Sequence, residues 1–205
     1  MKKIKVLKQD FSKQIIKKEF DKVRGQGFLI YHQKPMRRII SVNYYDEYDD
    51  YEKKSMYFLS FPNIFFRINY IYNPKTKNFS NKDVHVIFVN NELNKIYYPK
   101  LLNVWTENSR VCLSKNVVVK NINKLIQGIL FNFWNSDFNL DVDEATFSMY
   151  LKDFDYNEVC QNEIKGNLTD WQYRTKKDSN YIPSKFVPFD KCDLTLDCFM
   201  NDFIL

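Results

Sequence analysis

Past Gly27 the hydrophobic period of this chain changes once, and the change falls around a single cysteine. Between Gly27 and Tyr98 apolar residues tend to recur at every second position, whereas from Asn121 to Asn139 they recur at spacings of three and four. A period of two sends alternate side chains to opposite faces of a strand, and a period near 3.6 gathers them on one face of a helix. The expectation is therefore an α+β fold in which an antiparallel sheet is built first and a long amphipathic helix is laid on it.

The strand segments are Phe28–His32, Arg37–Tyr45, Ser55–Phe61, Asn63–Tyr72, Val84–Asn90 and Asn94–Tyr98, all rich in β-branched and aromatic residues. Turn signals separate them at Lys34-Pro35, in the acidic run Asp46–Glu52, at Asn73-Pro74 and at Asn90-Asn91. A meander is the simplest topology for such a series. Phe66, Ile68, Tyr70 and Tyr72 alternate with Arg67, Asn69, Ile71 and Asn73, which predicts one packed face and one wetter face. The covering helix carries Ile122, Leu125, Ile126, Ile129, Leu130, Phe133 and Trp134 on one stripe, with Asn121 or Asn123 as its cap. An N-terminal helix is expected over Asp10–Val23, where Phe11, Ile15, Ile16, Phe20 and Val23 share a stripe, Asp10 caps and Gly25 stops the helix. A short helix is expected from Asp143 to Phe154, then a polar, loop-like stretch over 155–191, and an apolar end from Asp193 to Leu205 able to dock back.

At 205 residues without a low-complexity linker or an internal repeat, the chain reads as one domain. Residues 1–26 form a basic leader and helix, 27–140 the core, and 141–205 a C-terminal extension. Of the net charge of +6, all can be assigned to residues 1–24, which hold nine Lys/Arg and three Asp/Glu. A nucleic-acid binder is expected to spread such charge over a groove. Charge confined to one segment points instead to a docking surface for an acidic partner, or simply to a solvated face. No apolar run reaches the ~18 residues of a membrane span, and no signal peptide stands out, so a cytoplasmic protein with reduced thiols is expected. Two histidines and no C-x-x-C pair leave almost no ligand set for structural zinc.

The candidate chemistry lies in Leu101-Leu-Asn-Val-Trp-Thr-Glu-Asn-Ser-Arg-Val-Cys-Leu113. Cys112, between Val111 and Leu113, is expected on extended backbone beside a polar turn, and Asn103 stands at the other end of the loop. A thiolate attacking a carbonyl, or an amine attacking a thioester, builds an oxyanion that an amide or backbone N–H can stabilise. The alternatives remain open: a cysteine between apolar neighbours also suits a small buried hydrophobe, and Asn103 also suits a loop-capping amide. Trp105 and Trp134 suit core packing. Asp137, Asp141 and Asp143 could orient an attacking lysine or form a solvated helix end. Cys160, Cys192 and Cys198 carry no assigned chemistry.

The order helix, meander, asparagine-bearing loop, Val-Cys-Leu and long helix resembles the ubiquitin-conjugating-enzyme (UBC) fold. In that family His-Pro-Asn precedes a turn, an apolar-Cys-Leu and a crossover helix. Cys112 matches the thioester-forming cysteine and Asn103 the motif asparagine, while Leu101 and Leu102 stand where His and Pro would be, and Tyr98-Pro99 lies too far upstream. Residues 53–140 are also similar to a prokaryotic branch, the PRTRC-system protein B family of plasmids and other mobile elements. Met56-Tyr-Phe58, Leu102-Asn-Val-Trp105, Arg110-Val-Cys-Leu113 and Phe133-Trp-Asn-Ser-Asp-Phe-Asn139 carry that similarity.

The resemblance implies a carrier that accepts a ubiquitin-like protein on Cys112 from an adenylating activating enzyme and passes it to an amine, with no cofactor of its own. It also implies a JAB-type peptidase among the partners. A non-catalytic adaptor or structural protein of the same fold is the alternative, and a nucleic-acid-associated protein the second.

Overall fold

Two prolines mark where the chain leaves and rejoins its main sheet. The computed structural model describes residues 11–46, 51–89, 96–97, 103–104, 109–113, 115–136, 138, 168–178, 181 and 199–200. Its strands are β1 (Ile15–Asp21), β2 (Gln26–Gln33), β3 (Met36–Asp46), β4 (Tyr51–Phe61), β5 (Asn63–Asn73), β6 (Asn78–Val89), β7 (Ile96–Tyr97) and β8 (Val118–Val119). The helices are α1 (Ile122–Asn135) and α2 (168–177). Six strands form an antiparallel sheet in the order β1-β2-β5-β6-β7, with β8 also on β6, while β3 and β4 form a separate hairpin. Pro35 lies between β2 and β3 and Pro62 between β4 and β5. Lacking an N–H, proline cannot continue a ladder, so both junctions break the sheet and the meander is interrupted by a hairpin in a second layer.

The expected antiparallel neighbours β5, β6 and β7 are present, and α1 packs on β5 and β6. Asn121 caps α1, its side-chain oxygen accepting from Lys124 N–H at 2.8 Å. Leu125, Ile126, Ile129, Leu130, Phe133 and Trp134 are buried. They meet Leu29, Phe66, Ile68, Val84, Val86 and Phe88 of the sheet and Ile40, Val42, Leu59 and Phe61 of the hairpin in one core.

The N-terminal helix is not observed. Phe11–Gln14 form a short 3-10 turn, and Ile15–Asp21 pair antiparallel with β2. Phe11 is buried, but Ile16, Phe20 and Val23 are exposed, so the apparent helical stripe does not mark one buried surface. The β-branched and aromatic residues of 15–20 suit a strand once β2 offers an edge to pair with, and tertiary pairing overrides the local period. Gly25 does stop the element, but as the positive-φ residue (65°) of the β1–β2 turn. Asp21 Oδ1 accepts from Val23 N–H (2.8 Å) and Arg24 N–H (3.1 Å) to close that turn. Asp10 lies outside the described residues.

The second helix also departs from expectation, since part of the 155–191 stretch is helical. It covers the outer edge of β4: Gln172 Oε1 accepts from Phe58 N–H (2.7 Å), Thr175 Oγ1 from Ser60 N–H (3.0 Å), and Trp171 Nε1–H donates to Ser60 O (3.1 Å). These side chains satisfy strand groups that would otherwise be left unpaired under the helix. A helix that works through polar atoms needs little apolar stripe, and only Leu168, Trp171 and Thr175 of 168–177 are buried. The outer edge of β3 is closed by Phe138, which donates to Ser41 O at 2.9 Å and accepts from Asn43 N–H at 3.0 Å. The helix expected over 143–154 lies outside the described residues.

The reverse face of the sheet is wetter only at one end. Ile71 and Asn73 are exposed and Asn69 is half-buried, but Arg67 is buried. Phe199 packs there against Ile30, Phe65, Ile87, Val89 and Ile96, so the apolar end of the chain docks on this face through Phe199 and Met200.

Candidate functional site

The segment 109–113 runs as an extra strip along β6. Val86 N–H donates to Ser109 O (2.9 Å) and Val111 N–H to Val84 O (2.7 Å), and His85 and Arg110 form an antiparallel bridge. Strand alternation then decides the exposure of the thiol. Val111 takes the inward position and is buried, whereas Arg110 and Cys112 on either side of it are exposed. The loop folds back so that Val104 bridges Val111 and Cys112 N–H donates to Asn103 O at 2.8 Å. Ser109 turns the corner with φ 59°, a left-handed conformation that an L-residue adopts at a cost. Its buried Oγ has no hydrogen-bond partner among the described residues.

Asn103 is buried, 3% exposed, and its side chain does not face solvent. The amide Nδ2 donates to Ser136 Oγ at 3.2 Å, and Ser136 Oγ donates to Phe133 O at 2.9 Å, so Asn103 is tied to the C-terminal end of α1. Its backbone carbonyl meanwhile holds the cysteine's N–H. One residue thus couples the thiol-bearing strip to the helix end. Leu101, Leu102, Trp105–Asn108, Asp137, Asp141, Asp143, Cys160, Cys192 and Cys198 lie outside the described residues. Trp134 packs in the core, its ring 5.0 Å from Phe61 and 4.7 Å from Phe133.

A polar cluster that sequence reasoning did not single out lies on the reverse face, next to the cysteine strip. Arg67 on β5 stands opposite His85 on β6, and Asn69 opposite Asp83. Asn69 Nδ2 donates to Asp83 Oδ1, and His85 Nε2 is 3.3 Å from the same oxygen. Arg67 donates to Phe199 O at 2.9 Å and lies 4.1 Å over the Phe28 ring. The available signal was the spacing: 67 and 69, like 83 and 85, alternate polar residues on one face of adjoining apolar strands. With Arg67 and His85 almost wholly out of solvent, the cluster orders the sheet and the docked C-terminal turn.

Burial by itself would push the Asp83 carboxyl up, but hydrogen bonds from His85 and Asn69 and the charges of His85 and Lys82 outweigh it. The carboxyl ends below its ordinary value of 3.8. A depressed carboxyl contributes stability above its unfolded pKa, and that contribution is lost as pH falls through the folded value. Between neutral pH and the ordinary carboxylate value the Asp83 contribution should hold steady, then decline on further acidification. Asp83→Asn should therefore flatten the acid limb of stability against pH, measured by chemical denaturation. Parallel acid limbs for the two proteins would contradict this assignment.

Among the described residues no group of three His, Cys, Asp or Glu side chains is arranged to hold a metal ion. No described helix is long and apolar enough to cross a membrane. Compared with protein-family models, with curated proteins and with solved structures, the chain matches none of them.

Proposed function

We propose that the chain is a ubiquitin-conjugating-enzyme-like carrier in which Cys112 accepts the C-terminal carboxyl group of a ubiquitin-like protein and passes it to an amine. The observation that carries this reading is the exposed Cys112 thiol on a strip held to β6 and to Asn103. In the first step the thiolate attacks the carboxyl-adenylate presented by an activating enzyme, a thioester forms and AMP leaves. In the second, an amine attacks the thioester carbonyl, an amide forms and the thiol is released. No group held by this chain need be oxidised or reduced, so no cofactor is required. Asn103 acts through geometry, fixing the cysteine backbone against the end of α1.

A second reading, the non-catalytic adaptor of a plasmid or phage, is favoured by one feature: the Asn103 side chain is buried and donates to Ser136 Oγ at the end of α1. One reconstitution separates the two. The chain is incubated with ATP and with the activating enzyme and ubiquitin-like protein encoded beside it, and a thiol-reducible adduct is expected. Cys112→Ser should abolish the adduct or replace it with a thiol-resistant ester, while Cys160→Ser should leave it intact. In parallel, N-ethylmaleimide should label native Cys112, seen as one label fewer in Cys112→Ser. Normal labelling without any adduct would retire the carrier reading in favour of the adaptor.

A further inference from the structure

The sheet face that α1 covers extends past the helix at the end where the β1–β2 and β5–β6 turns lie side by side. Tyr72 N–H donates to Gly25 O at 2.7 Å, which fixes the two turns together. At this end Lys18 and Phe20 of β1, Tyr70 and Tyr72 of β5 and Phe79 of β6 line a cleft of about 180 Å³. Gly27 makes the cleft aromatic. A Cβ at Gly27 would lie 2.8 Å from the Tyr70 ring, so only glycine lets Phe20 and Tyr70 stack across β2, with centroids 6.1 Å apart and planes at 6°. Tyr72 and Phe79 close another side with ring centroids 4.8 Å apart.

The cleft has room for one aromatic ring. A cavity of about 150 Å³ holds a benzene-sized group, and drug-sized ligands use about 300–1,000 Å³. Polarity selects which ring. The walls are mostly carbon, and the Tyr70 hydroxyl already donates to Glu19 O at 3.5 Å. The polar edges of a nucleobase would find few partners there and would lose their water, whereas a hydrocarbon or indole ring loses little. Charge selects what surrounds the ring. Lys18 at the cleft, Lys22 in one turn and Lys75 and Lys77 in the other are exposed, and none forms an ion pair among the described residues. The nearby carboxylates Glu19 and Asp21 are paired with Lys17 (3.0 Å) and Arg24 (3.8 Å).

We infer that this cleft is a docking site for an acidic peptide segment of a partner protein, anchored by one aromatic side chain with its carboxylates on the rim lysines. The site does not depend on Cys112 and would serve a carrier or an adaptor alike.

The test is fluorescence anisotropy with a fluorescein-labelled peptide carrying one tryptophan between runs of glutamate. The full chain should bind it, and exchanging the tryptophan for alanine should weaken binding about ten-fold or more. Phe20→Ala and Lys18→Glu should each do the same while keeping the native melting temperature to within a few degrees. Because Phe20 and Lys18 are exposed, these variants are expected to fold; if one does not, Lys75→Glu at the turn reads the same rim charge. Undiminished binding in these folded variants overturns the proposal, as does the absence of binding by the unaltered chain. Tighter binding of a labelled oligothymidylate than of the peptide, lost in the same variants, would also overturn it and assign the cleft to single-stranded nucleic acid.

Discussion

Phe61→Ala is expected to destabilise the protein by about 3–5 kcal/mol, the range for removing a large aromatic side chain from a packed core. Phe61 ends β4 and is fully buried. Its ring lies 5.0 Å from Trp134 of α1, 5.3 Å from Trp171 of α2 and 6.1 Å from Phe88 of β6. It is therefore the side chain at which the hairpin, both helices and the main sheet meet. Alanine would leave a cavity that elements hydrogen-bonded on several sides cannot collapse to fill. Since domains of this size are commonly stable by about 5–15 kcal/mol, the loss is a large share of the whole. Phe58 lies three residues away on the same strand, hence on its opposite face, and is 39% exposed, so Phe58→Ala should cost much less. Urea denaturation compares the two, and equal midpoints would mean that the hairpin does not pack on the sheet through Phe61.

Leu125→Ala is expected to cost about 2–5 kcal/mol and Lys124→Ala no more than about 0.5 kcal/mol. Leu125 is fully buried on the face of α1 that meets the sheet, and its neighbour Lys124 is exposed. The contrast tests the rotational phase of α1 independently of its existence. Similar melting temperatures for the two variants would mean that the helix presents another face to the sheet. Ile129→Ala, one turn further along the buried stripe, should behave as Leu125→Ala does.

Strands β2 to β7 and the α1 helix were legible in the sequence because each declares itself locally, and an asparagine cap was legible as Asn121 or Asn123. Val, Ile, Phe and Tyr at alternate positions can bury one face only as a strand, and the 122–134 stripe can bury one face only as a helix. The first element was misread because the spacing of Phe11, Ile15 and Phe20 fits a helix, while β2 supplied a pairing edge that no local pattern records. The helix 168–177 was missed for the opposite reason. Its contribution is a few hydrogen bonds to β4, made by Gln172, Thr175 and Trp171, and such bonds leave little periodicity to read.

For the candidate site the division is similar. Sequence placed Cys112 on extended backbone beside a turn, and Asn103 at the opposite end of the same loop. That the thiol is exposed follows from Val111 taking the buried position against β6, and that Asn103 serves the end of α1 follows from Ser136 lying within 3.2 Å. The aromatic cleft joins residues from three strands, and its openness depends on where α1 stops covering the sheet. By itself, then, the sequence determined the kinds of element and the separate faces they would bury, because those depend on neighbours a few residues away. The tertiary structure alone decided which strands pair, which edge each helix covers and which side chains remain in water, because those depend on contacts between residues far apart in the chain.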